Sequence, residues 1–422
     1  MAAPYKKLSG SKISFSIVVE EGDIEKAQKG VIAHHKKEIS LKGFRKGEAP
    51  DDMVLGAIGP QRAFQESFDQ VLSQKYSAFV TEHDLHPVAM PQVDIKDLKK
   101  PPFQVGISVE LFPELSLGNY EKLKPKALKI NISEKDIEEA LKRLLVAQER
   151  EKIVERAAKA GDVVKVDLVG TNEKNERVWG EDENNERRVV LGEKHIMPEV
   201  EKAITGMKAG ESKEKISVKF PDQPMFGDKA GGKMLFSVKL ISVGAVDPSA
   251  IDKALATEVL GREATPEELR QEVLKMLESE EKKQQGEKAV AGFKEKLAGI
   301  VKVDLPQSWI DREVGGRQEQ MKQSPAYRQD PEAFWKQVGK SEDALMKEFR
   351  KDSEKTLKIY LGLSEIVKRE ALELSAGEEQ MVQAQLEHRL SHEGDKKTPT
   401  QAQKSHALES ARIDKYLASL LS

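Results

Sequence analysis

The chain has 422 residues and no cysteine, which excludes disulfide staples, thiolate metal sites and a cysteine nucleophile, and fits a cytosolic setting. Lys and Arg total 69 against 72 for Asp and Glu, a formal charge of −3, so an anionic partner has to be met by a local basic patch. The length allows about two to four domains. No apolar run approaches the roughly 18–20 residues of a membrane span, and the opening MAAPYKKLSG lacks the apolar stretch of a signal peptide; a cytoplasmic chain with no membrane partner is expected. Charged residues at 33% and aromatics at 5% suggest long solvated helices with thin cores.

The first stretch reads as mixed α and β. Ile13, Phe15, Ile17 and Val19 alternate with polar residues, as a half-buried strand does, and Asp23 is placed to cap a following helix. Phe64, Phe68, Val71, Leu72 and Phe79 share one face of a helix from about residue 62 to 83. Alternation returns at Phe103, Val105, Ile107, Val109 and Leu111, closing a small α+β unit near Phe112-Pro113. An extended piece at 127–132 leads to a long, charged helix, with Ser133 and Asp136 spaced as a capping box. From about 161 to 243 the texture changes to short strands and glycine-rich turns, with one short helix near 199–205 and a last strand at 235–243.

Beyond about residue 247 the pattern is helical. Thr265-Pro266-Glu267-Glu268 places a capping residue, an N1 proline and an N3 glutamate in order, and Ser375 with Glu378 repeats the capping logic. Leu363, Ile366 and Val367 mark a further helix, and Ile413, Tyr416, Leu417, Leu420 and Leu421 form the last apolar stripe. Gly315-Gly316 and Gly231-Gly232 read as turns or hinges; with no Gly-Lys-Ser/Thr after them there is no phosphate loop. The polar segment 391–400 reads as a loop or hinge.

Three local clusters carry chemistry. His388 and His392 stand four apart on a helix, but Glu387 precedes the first histidine, so the metalloprotease order fails and a solvated face is the better reading; no metal and no cofactor is expected. His34-His35 followed by Lys36-Lys37 reads as basic surface. The most specific string is Gly43-Phe44-Arg45-Lys46-Gly47-Glu48-Ala49-Pro50. Two glycines and a proline define a loop, Lys42, Arg45 and Lys46 make it basic, and Phe44 lies outside any periodic apolar stripe. Cations for phosphates and a ring for contact area suit docking onto RNA with adjacent protein. The competing reading is an ordinary loop whose Phe44 packs onto its own domain.

Gly43-Phe44-Arg45-Lys46-Gly47-x-x-Pro50 resembles the ribosome-docking signature of the trigger factor family, bacterial nascent-chain chaperones; Glu48 stands where a basic residue is common. The resemblance runs over essentially the whole chain and implies a multidomain α+β fold. Its parts are a ribosome-binding α+β head at 1–112, a linker strand and long helix at 113–156, an FKBP-like β-rich prolyl isomerase domain at 157–244 and an all-helical chaperone domain at 245–422. It implies ATP-independent holding of nascent and unfolded polypeptides at the tunnel exit, with ribosomal protein and rRNA as docking partners and a homodimer as a form off the ribosome. The string Ala160-Gly161-Asp162, Leu191-Gly192, Gly206-Met207-Lys208-Ala209-Gly210-Glu211 and Phe220-Pro221 follows the order of FKBP-type isomerases, implying a groove from Leu168, Trp179, Ile196, Met197, Val200, Phe226 and Phe236. Such a groove acts on a barrier of about 18–20 kcal/mol by twisting the amide in a dry pocket. Leu168 and Val200 stand where the family has aromatics, Glu199 where it has glycine, and Pro224 near the place of a tyrosine. Reduced catalysis is therefore expected. Two other readings stay open: an FKBP-type isomerase whose remaining domains only position substrate, and a general RNA-binding protein, against which the near-neutral charge argues.

Overall fold

A computed structural model describes residues 4–95, 100–172, 176–179, 185–219, 232–392 and 399–421. The chain divides into two compact units, one of residues 1–124, 292–329 and 341–420 and the other of 125–291, 330–340 and 421–422.

The first unit begins with β1 (Lys6–Leu8), β2 (Lys12–Val19), α1 (Glu21–Glu38), α2 (Asp51–Ile58), α3 (Pro60–Glu82), β3 (Gln92–Ile95) and β4 (Phe103–Glu110). The strands form one antiparallel sheet in the order β1-β2-β4-β3. The period-two pattern has its physical reason here. Ile13, Phe15, Ile17 and Val19 of β2 and Phe103, Val105, Ile107 and Val109 of β4 all turn to one buried face, where Phe68, Val71 and Leu72 of α3 cover them. Phe15 stacks on Phe79 at 3.9 Å between ring centroids, so the aromatic stripe of α3 is core. Asp23 does not cap α1: the cap position is Glu20, and Asp23 sits in the first turn, paired with Lys75 at 2.7 Å. A carboxylate there still favours the helix N-terminus.

The chain then passes through β5 (Leu115–Leu117) into the second unit, where α4 (Glu134–Ala147) opens on the expected box, Ser133 and Asp136 exchanging side-chain-to-backbone hydrogen bonds. At 14 residues α4 is shorter than its charged sequence suggests. There follow β6 (Lys152–Ile153), β7 (Val163–Thr171), β8 (Arg177–Trp179), β9 (Glu186–Val190), α5 (Pro198–Ile204), β10 (Ser212–Lys219) and β11 (Lys233–Ala245). The sheet runs β10-β11-β7-β8, with β6 paired to β11 and β9 to β7. Val200 and Ile204 of α5 close its concave side with Val166, Leu168, Phe236 and Leu240. Next come α6 (Lys253–Leu260) and α7 (Pro266–Ile300), a single 35-residue helix whose start is capped as expected, Thr265 and Glu268 bonding reciprocally.

The remaining elements are β12 (Val301–Val303), α8 (Gln307–Gln323), α9 (Pro325–Gln329), α10 (Pro331–Val338), α11 (Glu342–Arg369), α12 (Ala376–His392) and α13 (Gln401–Ser419). β12 pairs with β5, so among its described residues the C-terminal region is helical apart from one three-residue strand. Gly315 and Gly316 are neither turn nor hinge: both lie inside α8. Ser391 and His392 end α12 and Thr400 caps α13; residues 393–398, expected as a loop, lie outside the described residues. Among the described residues no group of three or more His, Asp or Glu is arranged to hold a metal, and no helix is long and apolar enough to cross a membrane.

Candidate functional site

The basic loop occupies residues 39–50 between α1 and α2. It is two tight turns held at their feet. The Phe44 N–H donates to Leu41 O at 3.1 Å and the Glu48 N–H to Arg45 O at 3.0 Å. Gly43 and Gly47 have φ of 95° and 93°, a region that side-chain-bearing residues avoid, and a Cβ at either would meet no atom within 4 Å. Backbone conformation, not space, is what glycine supplies here. Ala49 is 5% exposed and packs with Leu41, Ile32, Val54, Leu55 and Ile58, which anchors both stems.

Between those anchors Lys42 to Glu48 are all exposed, and Phe44 keeps 39% of its surface in water. Phe44 is therefore not sealed into the core of its own domain. Six of the sequence-selected residues, Gly43, Phe44, Arg45, Lys46, Gly47 and Pro50, are thus brought together on one projection, with Pro50 as the cap position of α2. Such a projection meets a phosphate-bearing surface with two adjacent cations and one ring. Lys36 and His35, read as basic surface, have specific partners instead. Lys36 Nζ lies 2.9 Å from Asp51 Oδ1, and His35 Nε2 lies 2.6 Å from Glu66 Oε2. No sequence signal marks a pair 31 residues apart on two helices.

The second candidate is the β-rich core around α5. The structure separates its seven selected residues. Leu168, Val200 and Phe236 are 3%, 0% and 0% exposed and belong to the sealed core. Ile196 and Met197 are half-buried at its margin, on the entry to α5. Trp179 pairs through its backbone with Gly170, and Phe226, with Pro224 and Phe220-Pro221, lies outside the described residues. Glu199 is exposed beside the half-buried pair. Arg156 makes two hydrogen bonds to Asp162, at 2.6 and 2.8 Å, and the Lys159 N–H donates to Asp162 Oδ2 at 2.9 Å. Burial pushes the Asp162 carboxyl up, but the Arg156 guanidinium and the Lys159 N–H together outweigh it and hold the group below the usual carboxylate range. The pair pins the loop before β7.

Family models match three stretches: residues 1–144 as bacterial trigger factor protein, 154–241 as FKBP-type peptidyl-prolyl cis-trans isomerase, and 265–406 as the C-terminus of bacterial trigger factor protein. Trigger factor of Geobacillus kaustophilus (strain HTA426) is 30% identical over 389 residues, covering 89% of this chain and 88% of its own. That of Moorella thermoacetica (strain ATCC 39073 / JCM 9320) is 30% identical over 385 residues, covering 90% and 84%. A solved structure from work on promiscuous substrate recognition in folding and assembly by the trigger factor chaperone aligns over 99% of this chain and 98% of its own, with a TM-score of 0.52. At 19% identity that likeness speaks for the fold alone. An α+β head with an exposed Gly-Phe-Arg-Lys-Gly loop, an FKBP-type domain and a helical C-terminal region, matched along nearly their full length, place this chain in the trigger factor family.

Proposed function

We propose that this protein is an ATP-independent chaperone that docks near the ribosomal tunnel exit, on ribosomal protein and rRNA, and holds nascent and unfolded polypeptides in the cytoplasm. The observation that carries the reading is the loop 43–50, which keeps an aromatic and two cations exposed on stems packed into the head. Phosphate contacts give a steep salt dependence, and the ring adds apolar area at the contact. Holding falls to weak apolar contacts made by side chains exposed on otherwise charged helices, such as Met276 at 55% and Met381 at 63%. A homodimer is the proposed form off the ribosome. The functional parts are taken as 1–112, 113–156, 157–244 and 245–422.

The FKBP-type domain is proposed to be a weak isomerase. Ile196 and Met197 meet the proline ring over a layer of Leu168, Val200 and Phe236, and Trp179 and Phe226 are assigned to the groove by the family resemblance alone. Sealed aliphatic side chains at 168 and 200 offer no aromatic floor, and exposed Glu199 keeps water at the rim.

Co-sedimentation with ribosomes tests the docking reading. Replacing Phe44, Arg45 and Lys46 together by Ala should abolish association and leave thermal unfolding nearly unchanged, since exposed loop substitutions usually cost within about 0.5 kcal/mol. Undiminished co-sedimentation of the triple variant would overturn it.

A further inference from the structure

The docking loop leaves α1 at Glu38 and enters α2 at Asp51, so twelve residues, 39–50, hang between two helices. The last turn of α1 is tied on two sides. His35, whose side chain is only 12% exposed, reaches Glu66 of α3 at 2.6 Å, and the other oxygen of Glu66 accepts from Arg62 Nε at 2.8 Å. The next residue, Lys36, crosses the mouth of the loop to Asp51, the first residue of α2, at 2.9 Å. The Ile39 N–H closes the helix end on His35 O at 2.8 Å.

We propose that the last turn of α1 is a clamp that positions the docking loop, with His35–Glu66–Arg62 fixing one stem to α3 and Lys36–Asp51 fixing that stem to the other. The proposal rests on the docking reading above and adds the positioning residues. Exposed ion pairs stabilise a fold little, so the role assigned to these is geometric. A loop whose stems can drift apart shows Phe44, Arg45 and Lys46 together for only part of the time, and apparent affinity falls by that fraction. Glu66 is held below the usual carboxylate range by His35 first and Arg62 second, consistent with a carboxylate that stays charged and paired.

The clamp makes an opposite prediction to simple electrostatics. Glu66 and Asp51 are acids beside a basic loop. Neutralising them raises the local positive charge, and charge alone would tighten binding to phosphate. The clamp predicts weaker binding. Ribosome affinity of the full-length chain would be measured over a potassium chloride series for the wild type, for the Glu66→Gln/Asp51→Asn double variant, and for the Phe44/Arg45/Lys46 triple alanine. The double variant should bind about three- to tenfold more weakly with an unchanged salt slope, because the phosphate contacts themselves are intact. Equal or tighter binding would overturn the clamp. Loss of the docking reading looks different: the triple alanine then binds like the wild type. Amide hydrogen exchange separates the two without any ribosome. In the double variant the Phe44 and Glu48 amides should exchange faster while α3 amides keep their rates, and unchanged exchange at 44 and 48 would also overturn the clamp.

Discussion

Two helical glycines of this chain should respond to the same substitution with opposite signs. Gly362 lies inside α11 and is buried. A Cβ built on it would stand 2.6 Å from Val301 Cγ2 and 3.3 Å from Leu297 Cγ. Leu297 is 0% exposed and Val301 4%, and the branch of Val301 starts at the backbone of a strand paired with β5, so no flexible chain end can swing aside. Gly→Ala inside a helix gains about 0.8–1 kcal/mol of propensity. Forcing a methyl into a filled core costs about 1–3 kcal/mol. The second effect should win at Gly362, for a net loss of up to about 2 kcal/mol. Gly316 is the control: it is exposed in α8, and its Cβ would meet nothing within 4 Å. Gly316→Ala should gain about 0.5–1 kcal/mol. A chain with several cores need not unfold in one step, so the assay is hydrogen exchange in the full-length protein, read separately at α8 and α11. Trimming Val301→Ala in the Gly362→Ala background should recover part of the loss. If Gly362→Ala protects α11 as Gly316→Ala protects α8, the close approach of α11 to β12 is not the constraint argued here.

The link between α12 and α13 should weaken in acid. Lys415 at 2.8 Å, then the Ser375 N–H and hydroxyl, hold the Glu378 carboxyl at about 2, against 4.5 for an ordinary glutamate. Its contribution is therefore fully present above pH 4.5 and lost as pH falls toward 2; protection of α12 amides, corrected for intrinsic exchange, should drop across that window, and Glu378→Gln should flatten the dependence. Full-length protein should accelerate isomerisation of a Phe-Pro peptide less than FKBP-type domains that carry aromatics at the positions of Leu168 and Val200, with Ile196→Ala/Met197→Ala removing what remains; wild-type activity equal to theirs would contradict this. Restoring an aromatic as Val200→Phe should cost about 1–3 kcal/mol of stability, because the site is sealed, and no rate gain is expected from it alone.

Where a structural cause was local, the sequence revealed it. The alternation in β2 and β4 is the imprint of one covered sheet face, and Ser133, Thr265 and Ser375 each cap the helix that follows because the capping groups lie three residues apart. The loop 43–50 was legible for the same reason: glycine at two left-handed positions and proline before a helix are demands of the backbone itself. What could not be read is non-local. β5 and β12 are three residues each, too short for any periodicity, and exist because they pair with each other. Gly315-Gly316 looks like a break, yet flanking residues carry the helix straight through it. At Val200 the residue type was plain, but not its sealing beneath Ile196 and Met197, which depends on strands before and after it in the chain.

The pairing of β6 with β11 has a consequence for how the chain is assembled. Lys152 and Ala245 are opposite one another across that ladder, so the segment between them leaves and returns at a single point. Leu117 and Val301 must also meet, across 184 residues, to form β5–β12. Once 152 and 245 are zipped together, the loop still to be closed is about half as long. Halving a loop lowers its closure cost by only about 0.6 kcal/mol. In closure entropy alone, the β5–β12 pairing therefore gains little from the presence of the inserted segment and would lose little by its removal. During synthesis the head sheet is complete at Glu110, long before β12 exists, and the inserted segment can form its own core in the interval without committing the ends that await each other. Genetically, 152 and 245 mark where this chain can be cut and rejoined with little cost in closure entropy; what is lost is the set of contacts the segment makes with α4, such as Arg143–Glu193 and Arg188 to Val146 O.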